Sequence, residues 1–367
     1  MSKVSPSPSD VAGNAVPDSD GALDLLPRYL ALVWIVLTIY GSLYPLSGWQ
    51  QNGADPFAFL EWAWPRYWTV FDLVTNLIIY MPTGFLLTLA LRRLPGRWSG
   101  VILAVLLSGL LSLGMESLQT WLPSRFSSNL DLGSNTLGAL LGALIAFRAG
   151  DMLWRWWRFL RARLIAARPH VDLGLTLLGL WLMTLLSPET LLFGVGDLRQ
   201  TLNWLPTLSY RPETYHVTET AVVVCNLLAV GLFAAAMTRG RWLAYLAVPL
   251  FFGLAALVRC LSAAILAGPE QFLAWLTPGV REGFCVGAII LAFALLLPPL
   301  GRLVLAALCL LAGAMLVNLA PIDPYSLDAL ALWRQGHFLN FNGLTRWISC
   351  IWPFLALPYL ILASRRV

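Results

Sequence analysis

The chain has 367 residues, of which 58% are apolar and only 12% charged, with a formal net charge of +5. An ordinary soluble domain carries about 25% charged residues, so this composition excludes one: hydrocarbon cannot hydrate charge, and a chain built of lipid-facing helices leaves it out. The positive balance does not indicate nucleic acid, because the arginines sit in short loops between apolar runs.

Residues 1–28 begin with a stretch rich in Ser, Pro, Asp and Gly. Such a stretch cannot bury a core, and it is expected to be disordered. It is not read as a signal peptide, since its basic residue lies far from the apolar run and that run is long enough to span. Spans are then predicted at 29–48, 70–91, 99–121, 131–149, 171–192, 217–238, 241–266, 281–298, 301–319 and 346–363. In lipid every backbone polar group must be satisfied within its own segment, so these are helices. The expected fold class is an all-α polytopic membrane bundle of about ten helices. Trp49, Trp68, Trp98 and Trp121 stand at segment ends, where an indole ring can stay half wet.

Alternate loops differ in charge. If the N-terminus is cytoplasmic, sixteen Lys and Arg fall in cytoplasmic segments and seven in external ones, with Arg259 inside a span. This is a positive-inside pattern, and it predicts an inner-membrane protein with both ends in the cytoplasm. Residues 151–170 read as a basic interfacial helix on the cytoplasmic leaflet.

The chain also repeats. GSLYPL (41–46), TLLSP (184–188) and NLAP (318–321) each end an outgoing span. TNLIIYMPTGFLLTLALRRLPGRW (75–98) resembles CNLLAVGLFAAAMTRGRW (225–242), and LDLGSNTLGALLGALIAF (130–147) resembles VREGFCVGAIILAF (280–293). Residues 29–150 are therefore read as one four-helix unit, 171–300 as a degenerate second copy, and 301–367 as a two-helix segment. An even number of spans per unit makes the copies parallel rather than inverted.

The first unit holds a polar set. Asp72 and Asn76 open the second span; Ser112, Glu116 and Gln119 lie along the third; Asp131, Asn135, Gly138 and Gly142 lead into the fourth. The spacings of three, four, seven and eleven put each set on one helix face, and Arg125 joins them from the loop between the third and fourth spans. An ionisable residue inside a span is costly and calls for a function. Glu116 is expected to be protonated or paired, with Arg125 the leading partner. Two readings stand side by side, a ligand site and a network that only fixes helix packing. The glycines read as close-packing positions, and Pro82 with Gly84 as a local loosening of the second span. In the second unit the ungapped match sets Cys260 against Glu116, Arg281 against Asp131 and Cys285 against Asn135, so the matched positions carry no carboxylate. Asn226 matches Asn76. Arg259 needs a partner, for which an acid of the first unit and Glu282 are both candidates.

The run Asp72–Asn76–Pro82–Gly84, then Glu116–Ser117–Leu118–Gln119, then Pro123–Ser124–Arg125, then Asp131–Leu132–Gly133–Ser134–Asn135–Thr136–Leu137–Gly138 resembles the VanZ-like membrane proteins, named for a teicoplanin-resistance determinant. The resemblance covers residues 29–150. It implies a cell-envelope function, with some members lowering susceptibility to glycopeptide antibiotics. The second unit departs from the family pattern.

No phosphate-binding loop, HExxH or GxSxG occurs, and the three histidines lie near span ends without clustered partners. No cofactor and no metal site are expected, and the five cysteines read as small buried hydrophobes. The first reading is a non-enzymatic envelope protein that binds or moves a lipid-linked or amphipathic molecule. Its lining would be Asp72, Asn76, Glu116, Gln119, Arg125, Asp131 and Asn135. Arg125 would meet a phosphate; Glu116 and Asp131 would meet an amine or ammonium group, or orient Arg125. The alternatives are an integral-membrane enzyme acting on an envelope lipid, with Glu116 or Asp131 as base, and a scaffold. The expected partners are membrane lipids and no nucleic acid.

Overall fold

The computed structural model describes residues 25–51, 53–61, 68–96, 98–187, 191–199, 208–321 and 339–365. Most of the N-terminal segment expected to be disordered, with Lys3, and Arg66, Arg97, Arg334 and Arg366 of the charge count, lie outside the described residues. The described residues form ten α-helices: α1 Leu25–Leu43, α2 Val70–Ala90, α3 Ser99–Gln119, α4 Asn129–Leu164, α5 Val171–Thr184, α6 Pro212–Met237, α7 Arg241–Ala267, α8 Pro278–Ala294, α9 Pro299–Leu319 and α10 Leu339–Ser364. No named strand occurs among them; Ile165 and Thr238 make one isolated antiparallel bridge. Eight helices are long and apolar enough to cross a membrane alone, and α5 and α8 are shorter.

The helix ends follow from local chemistry. Ser128 caps α4, its Oγ accepting from the N–H of Leu130 at 3.1 Å. Thr69 caps α2 and Thr277 caps α8 in the same way, while α6, α8 and α9 carry Pro in their first turn, where the missing N–H costs nothing. Pro82 sits inside α2 without breaking it. It removes the N–H that would meet Ile78, and the next carbonyl, Ile79, receives the Trp34 indole N–H at 2.9 Å.

Two predicted elements take a different form. The fourth span and the basic segment after it are one unbroken helix of 36 residues, about 54 Å long and well beyond the ~30 Å hydrocarbon layer. There is no separate helix at 151–170, because no proline or helix-breaking run separates the span from the basic segment, and α4 continues to Leu164 before Ile165 turns extended. Trp154 is buried beneath the Arg92 guanidinium at 3.9 Å from its ring centroid, and Arg161 pairs with Asp172 of α5. The fifth span, expected to 192, stops at Thr184, shortly before Pro188, which disfavours helix in the residue ahead of it. Residues 191–199 then run as irregular chain through the protein interior, with Phe193 and Val195 buried. Their backbone groups are met by a side chain of α9 and by backbone of α10. Asn318 of α9 donates to the Gly196 carbonyl at 2.7 Å and accepts from the Leu198 N–H at 2.8 Å, and Gly196 N–H reaches the Ser349 carbonyl of α10 at 2.8 Å. Non-helical chain at membrane depth is stable only when enclosed and satisfied like this.

Close helix approach follows the small residues. A Cβ on Gly138 or Gly142 of α4 would strike the backbone carbonyls of Leu77 or Met81 of α2, and one on Gly84 would strike Ala139 of α4. The pair α6–α8 repeats the device: a Cβ on Gly283 would press on Val223 and Thr220, and one on Gly287 would touch Val224. The pairs α2–α4 and α6–α8 thus both meet through glycine.

The ends of α1, α5 and α9 share a second device. Each finishes with carbonyls that have no partner in their own helix, and each is met by an arginine from elsewhere in the chain. Arg125 donates to Gly41 and Tyr44 at 2.9 and 3.2 Å. Arg259 donates to Leu185 at 3.2 Å and also to Ser187. Arg199 donates to Ala320 at 2.9 Å and pairs with Asp197 at 2.6 Å. A cation also suits the negative end of a helix.

Candidate functional site

The polar residues of the first unit gather where α1 and α3 end and α2 and α4 begin. The N-cap of α4 is the hinge of the arrangement. Ser128 N–H donates to Glu116 Oε2 at 2.9 Å, and Ser127 Oγ donates to the Glu116 carbonyl at 2.6 Å. A carboxylate in this position faces the positive end of α4, and Glu116 is buried. In the first turn of α4, Asp131 accepts from Asn76 Nδ2 of α2 at 2.8 Å. A turn deeper, Asn135 Nδ2 donates to Ser112 Oγ of α3 at 2.9 Å. Gln119 Nε2 ties α3 to the Ser42 carbonyl of α1 at 2.9 Å. Four helices are therefore stitched together by residues the sequence had set on facing stripes.

These contacts cover the matching motifs. Residues 29–155, from α1 into α4, match the model of the VanZ/LLP1 family. Over these residues, about a third of the chain, the protein is similar to that family, and the N-terminal unit is called VanZ-like below. Searches among curated proteins and among solved structures returned no match.

Two expectations for the VanZ-like unit are corrected by its geometry. Arg125 does not pair with Glu116; its Nε and Nη2 are committed to the α1 carbonyls, and the partner of Glu116 is the backbone N–H of Ser128. Burial pushes the Arg125 guanidinium below its usual range, and the nearby Glu116 charge pushes it back up. Asp72 is exposed and accepts from Thr69 Oγ1 at 2.6 Å. It stands at the rim, near enough for its charge to act on Asp131, and is not buried with the others.

The VanZ-like unit also holds residues the sequence reading passed over. Tyr80 is buried at 3% exposure; its hydroxyl lies beside Ser112 and near Glu116 without reaching hydrogen-bond geometry. Thr83 Oγ1 and Asn135 Oδ1 are likewise buried without partners. Tyr80 and Thr83 follow Asn76 at i+4 and i+7, so the spacing that singled out Asn76 points to them as well. Buried polar atoms without partners are rare and call for an explanation.

In the second half Arg259 has no acidic partner among the described residues, and backbone carbonyls take its place. Glu282 instead meets His216 at 2.9 Å, so that histidine is not isolated as expected. Cys260 and Cys285 are free thiols, and Arg281 donates to the Leu276 carbonyl at 3.2 Å. Asn226, matched to Asn76, is fully buried and bonded to Val222 of its own helix at 2.9 Å. The matched positions hold no carboxylate, yet Glu219 of α6 is buried and accepts from Thr277, the N-cap of α8, at 2.7 Å. A glutamate thus touches the cap of the fourth helix in both halves, carried by α3 in one and α6 in the other. Glu219 lies inside a predicted span, the same signal that marked Glu116.

Proposed function

We propose that the VanZ-like unit binds the amine- or ammonium-bearing end of an amphipathic or lipid-linked envelope molecule at the rim formed by Asp72, Asn76 and Asp131, on the external side of the inner membrane. The observation that carries this reading is the local charge balance. Asp72, Glu116 and Asp131 share one end of the unit, while Arg125 of the loop between α3 and α4 spends its donors on Gly41 and Tyr44. A ligand cation is attracted to that excess, and its charge-assisted bonds are the strong ones. A phosphate on Arg125, part of the sequence-based expectation, has less support, because two guanidinium nitrogens are already occupied. A role in glycopeptide susceptibility would follow from holding a cell-wall precursor or lipid, and it belongs to the same proposal. The scaffold reading has one observation in its favour: the polar groups largely satisfy one another across α1, α2, α3 and α4.

Native mass spectrometry of the protein extracted with its own membrane separates the two. Wild type should retain a defined amine-bearing lipid that Glu116→Gln and Asp131→Asn lose. Both replacements keep an acceptor oxygen for Ser128 or Asn76, so the fold is preserved. Equal retention in all three proteins, with equal melting temperatures, would leave the ligand reading without support. If melting alone changes, the scaffold reading gains.

The orientation rests on the basic face, formed by the end of α4, the α6–α7 turn and the start of α9. A cysteine placed at Phe126, which is exposed on the opposite face, should react with an impermeant maleimide in intact cells. Reaction only after permeabilisation would reverse the assignment.

A further inference from the structure

The end of the molecule opposite the VanZ-like site carries a cavity of about 130 Å³ lined by Arg168, Arg239, Arg241 and Arg302. On the same measure one water fills about 10–15 Å³, so there is room for a tetrahedral oxyanion with some of its hydration. The four arginines come from three separate parts of the chain: the α4–α5 linker, the α6–α7 turn with the start of α7, and the first turn of α9. None has a carboxylate within ion-pair distance among the described residues, whereas Arg161 on the same face has Asp172. Arg302 feels the charges of both Arg168 and Arg241, and its buried Nε has no hydrogen-bond partner.

The backbone adds to this field. Gly240, which precedes α7, and Pro299, which begins α9, both line the cavity, and neither helix has a side-chain cap. Both present the positive end of a helix dipole there. The third helix end at the cavity, that of α6, points carbonyls toward it, but Thr238 N–H and Oγ1 both turn back to Ala235 at 3.1 and 2.7 Å. The walls are held in place. Ala166 N–H donates to the Met237 carbonyl at 2.9 Å, and Arg239 N–H to the Leu164 carbonyl at 3.0 Å. A positive-inside bias requires arginines on one face of the membrane; it does not require them to converge, against their own repulsion, on one cavity.

We propose that this cavity is a phosphoryl-binding site, taking either the headgroup of an anionic lipid or a free phosphate ester. Arginine and helix N-termini are the groups that recognise phosphate oxygens. A smaller apolar notch of about 40 Å³, lined in part by Met237, Tyr359 and Leu362, shares Arg168 and Ala236 with it, and an acyl chain would leave the headgroup along that side.

The probes are phosphatidic acid and inorganic phosphate, each added to the full-length protein in neutral detergent. Binding is read by native mass spectrometry and by the shift in melting temperature. Phosphatidic acid should be retained, and the Arg241→Gln/Arg302→Gln double variant should bind it roughly tenfold or more weakly, as loss of charge-assisted bonds implies. Arg155→Gln/Arg158→Gln removes the same charge from the exposed side of α4 and should change binding by less than about twofold. Arg241→Gln alone, at an exposed position, should give a partial loss and covers the case in which the double variant fails to fold. Protection by inorganic phosphate at comparable concentration would identify a free phosphoryl compound as the ligand; protection by the lipid alone would identify a headgroup site. Equal weakening in the α4 control, or no binding of either probe, overturns the proposal.

Discussion

Gly142→Ala is expected to destabilise the protein by about 3 kcal/mol, near the upper end of what overpacking costs, whereas Gly133→Ala should leave it as stable or slightly more so. Both residues lie on α4, and composition does not distinguish them. The new methyl at 142 would overlap the backbone carbonyl of Met81, and backbone cannot swing aside as a side chain can. At 133 nothing lies within 4 Å, and alanine gains about 0.5–1 kcal/mol over glycine in a helix. Water does not drive helices together in lipid, so the α2–α4 contact depends on this fit. Forcing the helices apart also draws Asn76 from Asp131, whose bond lies on the same interface. Equilibrium unfolding in mixed micelles checks the pair, and similar free energies for both variants would show that α2 and α4 do not meet as described.

The sequence made the helices, their order and the polar stripes legible because each rests on a periodic or compositional rule. The apolar runs place eight of the ten helices within a few residues of their observed bounds, α4 and α5 being the exceptions, and the spacing of Asn76, Asp131, Asn135 and Glu116 picks out residues that do converge. What stayed hidden depends on backbone partners. No pattern of side chains announces that Arg125 ends on Gly41 and Tyr44, or that Glu116 meets the N–H of Ser128, because any residue supplies those atoms. The same is true of residues 191–199. Leu191, Leu192, Phe193 and Val195 look like the end of a span, and only the distant Asn318, 122 residues from Gly196 in sequence, makes an irregular path tolerable. The basic segment of α4 differs from expectation for a related reason: hydropathy falls at Asp151, but helix propensity does not, and a helix is free to continue past the lipid boundary.

Arg259→Met is expected to destabilise the protein by about 1–3 kcal/mol, although it removes a charge from a membrane span. Two effects oppose one another. A buried cation without a carboxylate is costly, about 2.5–3.5 kcal/mol at a helix centre on insertion scales, and less here because Arg259 lies roughly two turns from the end of α7. Its removal relieves that cost. Against it, Leu185 and Ser187 lose their donor, and a buried acceptor left without a partner costs about 1–3 kcal/mol each. The two carbonyls outweigh the one partly relieved charge. The loss also reaches the core: α5 ends here, Trp181 one turn earlier stacks on Phe251 at 5.6 Å, and Ser262 holds Leu186 from the same side at 2.9 Å. Arg259→Lys should recover part of the stability, since an ammonium can reach one carbonyl but lacks the guanidinium fork. Denaturant unfolding of the three proteins decides the balance. A methionine variant more stable than wild type would mean that the charge costs more than the cap returns, and that Arg259 is kept for a ligand rather than for the fold.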